Sequence, residues 1–200
     1  MSRKCAVIAA LMVILVPAAA RAEWLFTPLI GTTFGADTFG QQDAMYTFAL
    51  ATVDEDLFGW EGEVSYAPDF FTGVADTLGF PGSGNVASGM VDALIGAPFN
   101  AHGGITVRPY VTGGVGIMRM HVVSGQSDLF TSTTREFGWN LGLGAMTFFG
   151  SHLGLRGDLR YLRSFQNQNP SWTQGTNVDI APGNFDFWRG SVGVTFRFNR

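Results

Sequence analysis

Along most of the chain, apolar and polar side chains alternate with a period of two, the mark of a strand whose two faces meet different surroundings. In residues 154–163, GLRGDLRYLR, Leu155, Leu159 and Tyr161 alternate with Arg156, Asp158 and Arg160. Eight stretches of this kind are predicted, over about 24–35, 44–53, 59–70, 85–97, 106–121, 136–149, 153–166 and 185–198. No segment sustains a helical period. Short connections (54–58, 98–105, 150–152) alternate with longer ones (36–43, 71–84, 122–135, 167–184). Such a rhythm fits an even number of antiparallel strands with tight turns at one end and loops at the other.

Sorted by parity, the strands share one sidedness. One face carries Trp24, Phe26, Ile30, Tyr46, Phe48, Leu50, Trp60, Val64, Tyr66, Val91, Ala93 and Ile95 in the first four strands. It continues through Val111, Val115, Ile117, Trp139, Leu141, Leu143, Leu153, Leu155, Leu159, Trp188, Val192, Val194 and Phe196. The opposite face holds Thr27, Thr33, Glu61, Glu63, Ser65, Ser88, Asp92, Arg108, Tyr110, Thr112, Asn140, Arg156, Asp158, Arg160, Arg189, Ser191, Thr195 and Arg197, with several glycines. Parity alone does not say which face is inside. Size does: Gly, Ser and Thr dominate the polar face, as an eight-stranded barrel requires where only side chains fit. The bulky apolar face is therefore expected to meet lipid.

The N-terminus agrees. Residues 1–22 combine a basic start (Arg3, Lys4), an apolar run from Cys5 to Val16 and Ala20-Arg21-Ala22, the plan of a cleaved secretory signal. The apolar run is about 12 residues, short of the roughly 20 that a spanning helix needs. Residues 23–200 then form one β-barrel domain without cysteine and with nine arginines, no lysine and all 16 acids. A soluble barrel showing its polar face to water would be expected to carry lysine. The acidic balance argues against nucleic acid, which needs clustered positive charge. Charged residues are 14% of the chain, against about 25% in an average soluble domain.

Aromatic residues are predicted to form two bands, as the two membrane interfaces favour. Trp24, Trp60, Phe149, Phe196 and Phe198 lie toward the short turns, and Tyr66, Phe70, Trp139, Tyr161 and Trp188 toward the long loops. The charges of the inner face suggest a network. Gly59-Trp-Glu-Gly-Glu-Val-Ser-Tyr66 and Gly154-Leu-Arg-Gly-Asp-Leu-Arg-Tyr161 follow one pattern, which matches Glu61 to Arg156 and Glu63 to Asp158. Strands four apart in eight occupy opposite walls. Glu61 and Glu63 are thus expected to pair with Arg156 and Arg160 across the lumen, with Asp92, Arg108, Asp158 and Arg189 as neighbours. Such a network would plug the barrel.

The chain resembles the eight-stranded outer-membrane barrels of the OmpA transmembrane-domain and OmpX type, and more narrowly the outer membrane protein β-barrel domain family. The resemblance is carried by Tyr66-Ala-Pro-Asp-Phe70, Arg108-Pro-Tyr110 leading into Gly113-Gly-Val-Gly116, Asn140-Leu-Gly-Leu-Gly144 and Gly154–Tyr161. It implies an all-β, up-and-down antiparallel transmembrane barrel in the outer membrane, surrounded by lipid and lipopolysaccharide. The last strand, Ser191-Val-Gly-Val-Thr-Phe-Arg-Phe198, is similar to the signal read by the barrel-assembly machinery, through Gly193, Phe196 and Phe198. Asn199-Arg200 follow the aromatic that normally ends such chains.

Candidate chemistry is sparse. His152 beside Ser151 reads as a turn residue, and His102 as another. His121 lies three residues before Ser124, on the side where the lipid A deacylases and acyltransferases among small outer-membrane barrels pair a His with a Ser, yet no acidic partner is evident at matching spacing and height. The acids at 54–56 read as a solvated turn, and the glycines at 113–116 lack the final glycine and following helix of a dinucleotide loop. No catalytic, cofactor-binding or metal site is expected. The longest loop, 167–184, is polar and holds an isolated Trp172, the candidate for surface recognition of an extracellular ligand. The expectation is a monomeric, non-enzymatic outer-membrane protein, structural or acting through its loops. A lipid-modifying enzyme, a narrow channel and a soluble lipocalin-like carrier are the alternatives.

Overall fold

The computed structural model describes residues 23–35, 44–54, 57–68, 70, 82–100, 104–124, 131–165 and 186–198. The expected signal segment 1–22, His102, Trp172 and the chain end Asn199-Arg200 lie outside them. Nine strands run in chain order: β1 (Glu23–Phe34), β2 (Ala44–Val53), β3 (Phe58–Ala67), β4 (Gly82–Ile95), β5 (Phe99–Asn100), β6 (Ile105–Ser124), β7 (Thr131–Phe149), β8 (Leu153–Ser164) and β9 (Asp186–Phe198). β5 is a two-residue ladder against Thr106 and Val107, inside a connection expected to be a bare turn. The other eight form the barrel. Each pairs antiparallel with its sequence neighbour, β4 joins β6 directly, and β1 pairs β9 to close the cylinder.

Closure removes the unpaired edges that would be untenable in hydrocarbon, where no water satisfies an open N–H or C=O. Gly104 and Gly150, at φ of 76° and 81°, occupy the left-handed region beside two of the short connections. At the opposite end the ladders run further than the apolar alternation. Gly82 pairs Ser124, and Val123 pairs Thr131, so parts of the expected loops 71–84 and 122–135 are strand. The reason is that a ladder needs backbone partners and β-tolerant residues rather than an apolar face. Thr131-Ser-Thr-Thr134 supplies such residues.

The two faces separate as parity requires. Phe48, Val64, Val91, Leu141, Leu143 and Val192 are each about 60% exposed on the outside. Thr27, Glu61, Asp92, Arg160, Arg189 and Thr195 are at most 1% exposed on the inside. Trp139, Tyr161 and Trp188 form an outward aromatic cluster toward the long-loop end, with ring centroids 5.7 and 5.2 Å apart. Phe70 corrects the expected aromatic band. It turns into the lumen, 2% exposed and edge-on to Phe187 at 5.2 Å, because the chain has left the β3 ladder and strand parity no longer fixes its direction.

The lumen has three layers. Toward the short turns, Leu25, Ala51, Val53, Leu94, Tyr110, Met146 and Phe148 pack together. Toward the long loops, Met45, Ala67, Phe70, Val86, Met90, Met118, Met120, Leu162 and Phe187 form a second apolar layer. The charged groups lie between them. Alternation by residue size predicted a polar lumen throughout, and the apolar end layers are what it missed. Every methionine among the described residues faces inward. Unbranched thioether chains fill irregular gaps well.

Candidate functional site in the barrel lumen

The central layer is an ion-pair network between opposite walls. Arg156 forks onto Glu61, with Nη1 donating to Oε2 and Nη2 to Oε1, the latter at 3.0 Å. The two residues are 95 apart in sequence and both side chains are fully buried. Arg160 stands at the centre. It reaches Glu61 at 2.5 Å, Asp92 at 2.5 Å, Asp158 at 3.2 Å and Glu63 at 3.3 Å. Arg189 donates to both oxygens of Glu63, at 2.6 and 2.7 Å. Asp158 also binds Arg156 at 2.9 Å and accepts from Ser191 at 2.8 Å. A buried charge persists only when paired and hydrogen-bonded, and each of these is.

Neutral side chains complete the shell. Tyr110 donates to Asp158 at 3.1 Å and accepts from Arg156 Nε at 2.8 Å. Asn140 donates to Asp92 at 2.6 Å. Glycines at the ladder positions beside these side chains, on the neighbouring strands, leave the space. A Cβ on Gly142 would stand 2.7 Å from Arg160 Cγ and 2.9 Å from the Leu159 carbonyl oxygen. A Cβ on Gly114 would collide with Asp92, and one on Gly144 with the Tyr110 hydroxyl.

Arg108 is the exception among the eight residues expected to interact. It is inward and 7% exposed, but it donates to the Asp54 carbonyl at 3.1 Å near the short turns and is outside the network. Its register explains this: Arg108 lies opposite Met146 in the ladder, two residues nearer the turn than Tyr110. Sequence reasoning also left out Tyr110 and Asn140 as partners, and Glu136. Glu136 is 2% exposed, with Oε2 lacking a hydrogen-bond partner among the described residues.

The other candidates separate. His121 Nδ1 is 2.9 Å from Thr133 Oγ1 across the β6–β7 ladder, and the Ser124 backbone pairs with Gly82. Ser151 and His152 bond each other at 2.6 Å in an exposed turn. Glu61, Glu63 and Asp92 place carboxylate oxygens within 4.8 Å of one another, but arginines occupy that space. Phe196 and Phe198 project outward, 40% and 57% exposed, and Phe196 stacks on Phe26 at 6.5 Å. Gly193 faces the lumen, where a Cβ would stand 2.8 Å from Leu29.

Comparison with known proteins follows the same lines. The family described as outer membrane protein beta-barrel domain matches residues 6–198. The N-terminal β-barrel domain of Pseudomonas aeruginosa OprF is similar at 15% identity and a TM-score of 0.56, covering 89% of this chain and 98% of that one. Neisserial surface protein A gives 12% and 0.55, covering 90% and 97%. Ail, the attachment invasion locus protein of Yersinia pestis, gives 12% and 0.54, covering 89% and 99%. At such identities the likeness shows the fold. Among curated proteins none matches the chain in sequence.

Proposed function

The chain belongs to the outer membrane protein β-barrel domain family, and from that membership we propose that it is a closed, non-enzymatic outer-membrane scaffold acting structurally or through its surface loops. One observation carries the reading: Arg156, Arg160 and Arg189 bridge the walls at mid-height, between two apolar layers. Ions would have to displace paired charges to pass, which weighs against a channel. The engagement of His121 with Thr133 weighs against a lipid-modifying site there. In this reading a signal at 1–22 is cleaved and the assembly machinery reads the last strand. The monomer then sits among lipid and lipopolysaccharide with both termini in the periplasm. The long connections, including Trp172, meet the outside and any ligand there.

The test combines location with conductance. Protease applied to intact cells should cut only within the long connections. Cutting at 54–56 or at Ser151 would invert the topology. Purified protein in planar bilayers should give no unit conductance steps, and steady steps would replace the scaffold reading with a channel. Altered lipid A in cells expressing the protein, restored to normal by His121→Ala, would make it an enzyme.

A further inference from the structure

On the outer wall of β6 and β7 the apolar face ends at Ile117 and Phe137, and one outward step later it becomes cationic. Arg119 and Arg135 are direct partners in the antiparallel ladder, and both are exposed. Side chains so placed have Cβ atoms about 4.5–5.5 Å apart, and like charges directly opposite destabilise a sheet. The described surroundings supply no anion. Ile117 and Phe137 border the pair on one side, the hydrogen-bonded His121 and Thr133 on the other, and Ala87 of β4 lies opposite Arg119. Glu136, the neighbour of Arg135 in sequence, is buried in the lumen. A third outward arginine shows the contrast: Arg163 of β8 has Asp186 of β9 directly opposite it.

The height of the pair indicates what covers it. Trp139, Tyr161 and Trp188 mark a membrane interface. The outward apolar face continues past that cluster to Ile117 and Phe137, 49% and 64% exposed. Arg119 and Arg135 follow two residues later, about 7 Å along the strand at ~3.4 Å per residue and less along the membrane normal, which places them where the apolar surface gives way to lipid headgroups. We propose that Arg119 and Arg135 together bind the phosphate of an anionic lipid in the leaflet next to the long loops, with its acyl chains along Ile117, Phe137 and Leu141. The guanidinium fork matches phosphate oxygens bidentately, and a doubly charged phosphate would neutralise both groups. This inference rests on the membrane-spanning orientation proposed above.

Native mass spectrometry of the purified full chain, released from detergent with phosphatidic acid or phosphatidylcholine of identical acyl chains, tests it. The wild type should retain one phosphatidic acid in preference to phosphatidylcholine by about tenfold or more, given two basic groups at a membrane surface. Arg119→Gln with Arg135→Gln should abolish the preference, while Arg163→Gln should leave it. Arg135→Glu gives Arg119 an opposite charge. It should raise resistance to urea in phosphatidylcholine vesicles while losing phosphatidic acid, which separates binding from folding. An equal loss in Arg163→Gln would overturn the site. Displacement of the lipid by millimolar inorganic phosphate would assign the pair to a dissolved anion instead. If the chain does not insert into vesicles, the membrane reading itself fails; insertion without preference overturns only the lipid site.

Discussion

Arg160 is where the lumen network is most exposed to test. Its guanidinium lies within 3.3 Å of four carboxylates, those of Glu61, Glu63, Asp92 and Asp158. Those four acids face three arginines, so the cluster carries one formal negative charge in excess. Arg160→Gln would leave four acids against two guanidiniums. Among the described residues Asp92 would keep only the Asn140 amide, and Glu61 and Glu63 would fall back on Arg156 and Arg189. Removing one partner of a buried pair costs about 3–5 kcal/mol. Arg160→Gln should reach that range, having four contacts to lose. Asp92→Asn does the reverse: it removes the excess charge and keeps an acceptor for Arg160, so it should cost about 1 kcal/mol or less. The assay is urea unfolding in phospholipid vesicles, read by the altered gel migration of the unheated barrel. Loss of a cation leaves buried acids uncompensated, whereas loss of one acid restores neutrality. If Asp92→Asn destabilises as much as Arg160→Gln, charge balance does not govern the cluster.

Further outcomes follow from the same geometry. In a double-mutant cycle, Glu61→Gln and Arg156→Gln should couple by more than about 1 kcal/mol, and additive losses in vesicle unfolding would show that the two do not act as a pair. Leu143→Arg places a charge at mid-height on the outer face and should cost roughly 2–4 kcal/mol. Leu153→Arg, beside a short turn, should cost about 0–1 kcal/mol; equal costs would refute the depth assignment. Gly142→Ala should cost about 1–3 kcal/mol by pressing on Arg160 and the Leu159 carbonyl. Gly62→Ala, outward and with nothing within 4 Å of its Cβ, should be neutral or stabilising in the same unfolding assay.

The face of each residue was legible in the sequence because a strand has a period of two, and a one-residue error would have turned every leucine and arginine to the wrong side. The opposition of Glu61 and Arg156 was legible for a related reason. Two strands with one pattern, four apart in a closed eight, must present matching positions across the lumen. Height was not legible. Arg108 shares parity with the network, but only the register placing it opposite Met146 shows that it lies below the charged layer. Met45, Met118, Met120 and Met146 likewise have the parity of inward residues. Sorting by size and polarity does not place an apolar layer inside a lumen expected to be polar. The ends of β4, β6 and β7 were hidden because their outward residues stop being apolar before their backbones stop pairing.

The layered lumen also bears on how such a chain specifies one barrel. Replacing a buried ion-pair network with well-packed apolar residues is often neutral or stabilising, so the charges are weak evidence for stability as such. Their placement points to specificity. Were the lumen apolar throughout, both faces of each strand would suit lipid, and a register slip of one residue would cost little. Glu61, Glu63, Asp92, Arg156, Asp158, Arg160 and Arg189 all sit in the central layer. A charge turned to the lipid face is penalised by about 2–4 kcal/mol at the midplane for arginine and by about 0–1 kcal/mol near the interfaces. The charged residues therefore stand where inversion of a strand is most costly, and the apolar lumen residues stand at the ends, where it matters least. Glycines at 114, 142 and 144 follow from that arrangement, because Asp92, Arg160 and Tyr110 fit within an eight-stranded wall only where their partners on the next strand carry no side chain. On this view the network does more to exclude wrong insertions than to hold the finished barrel together.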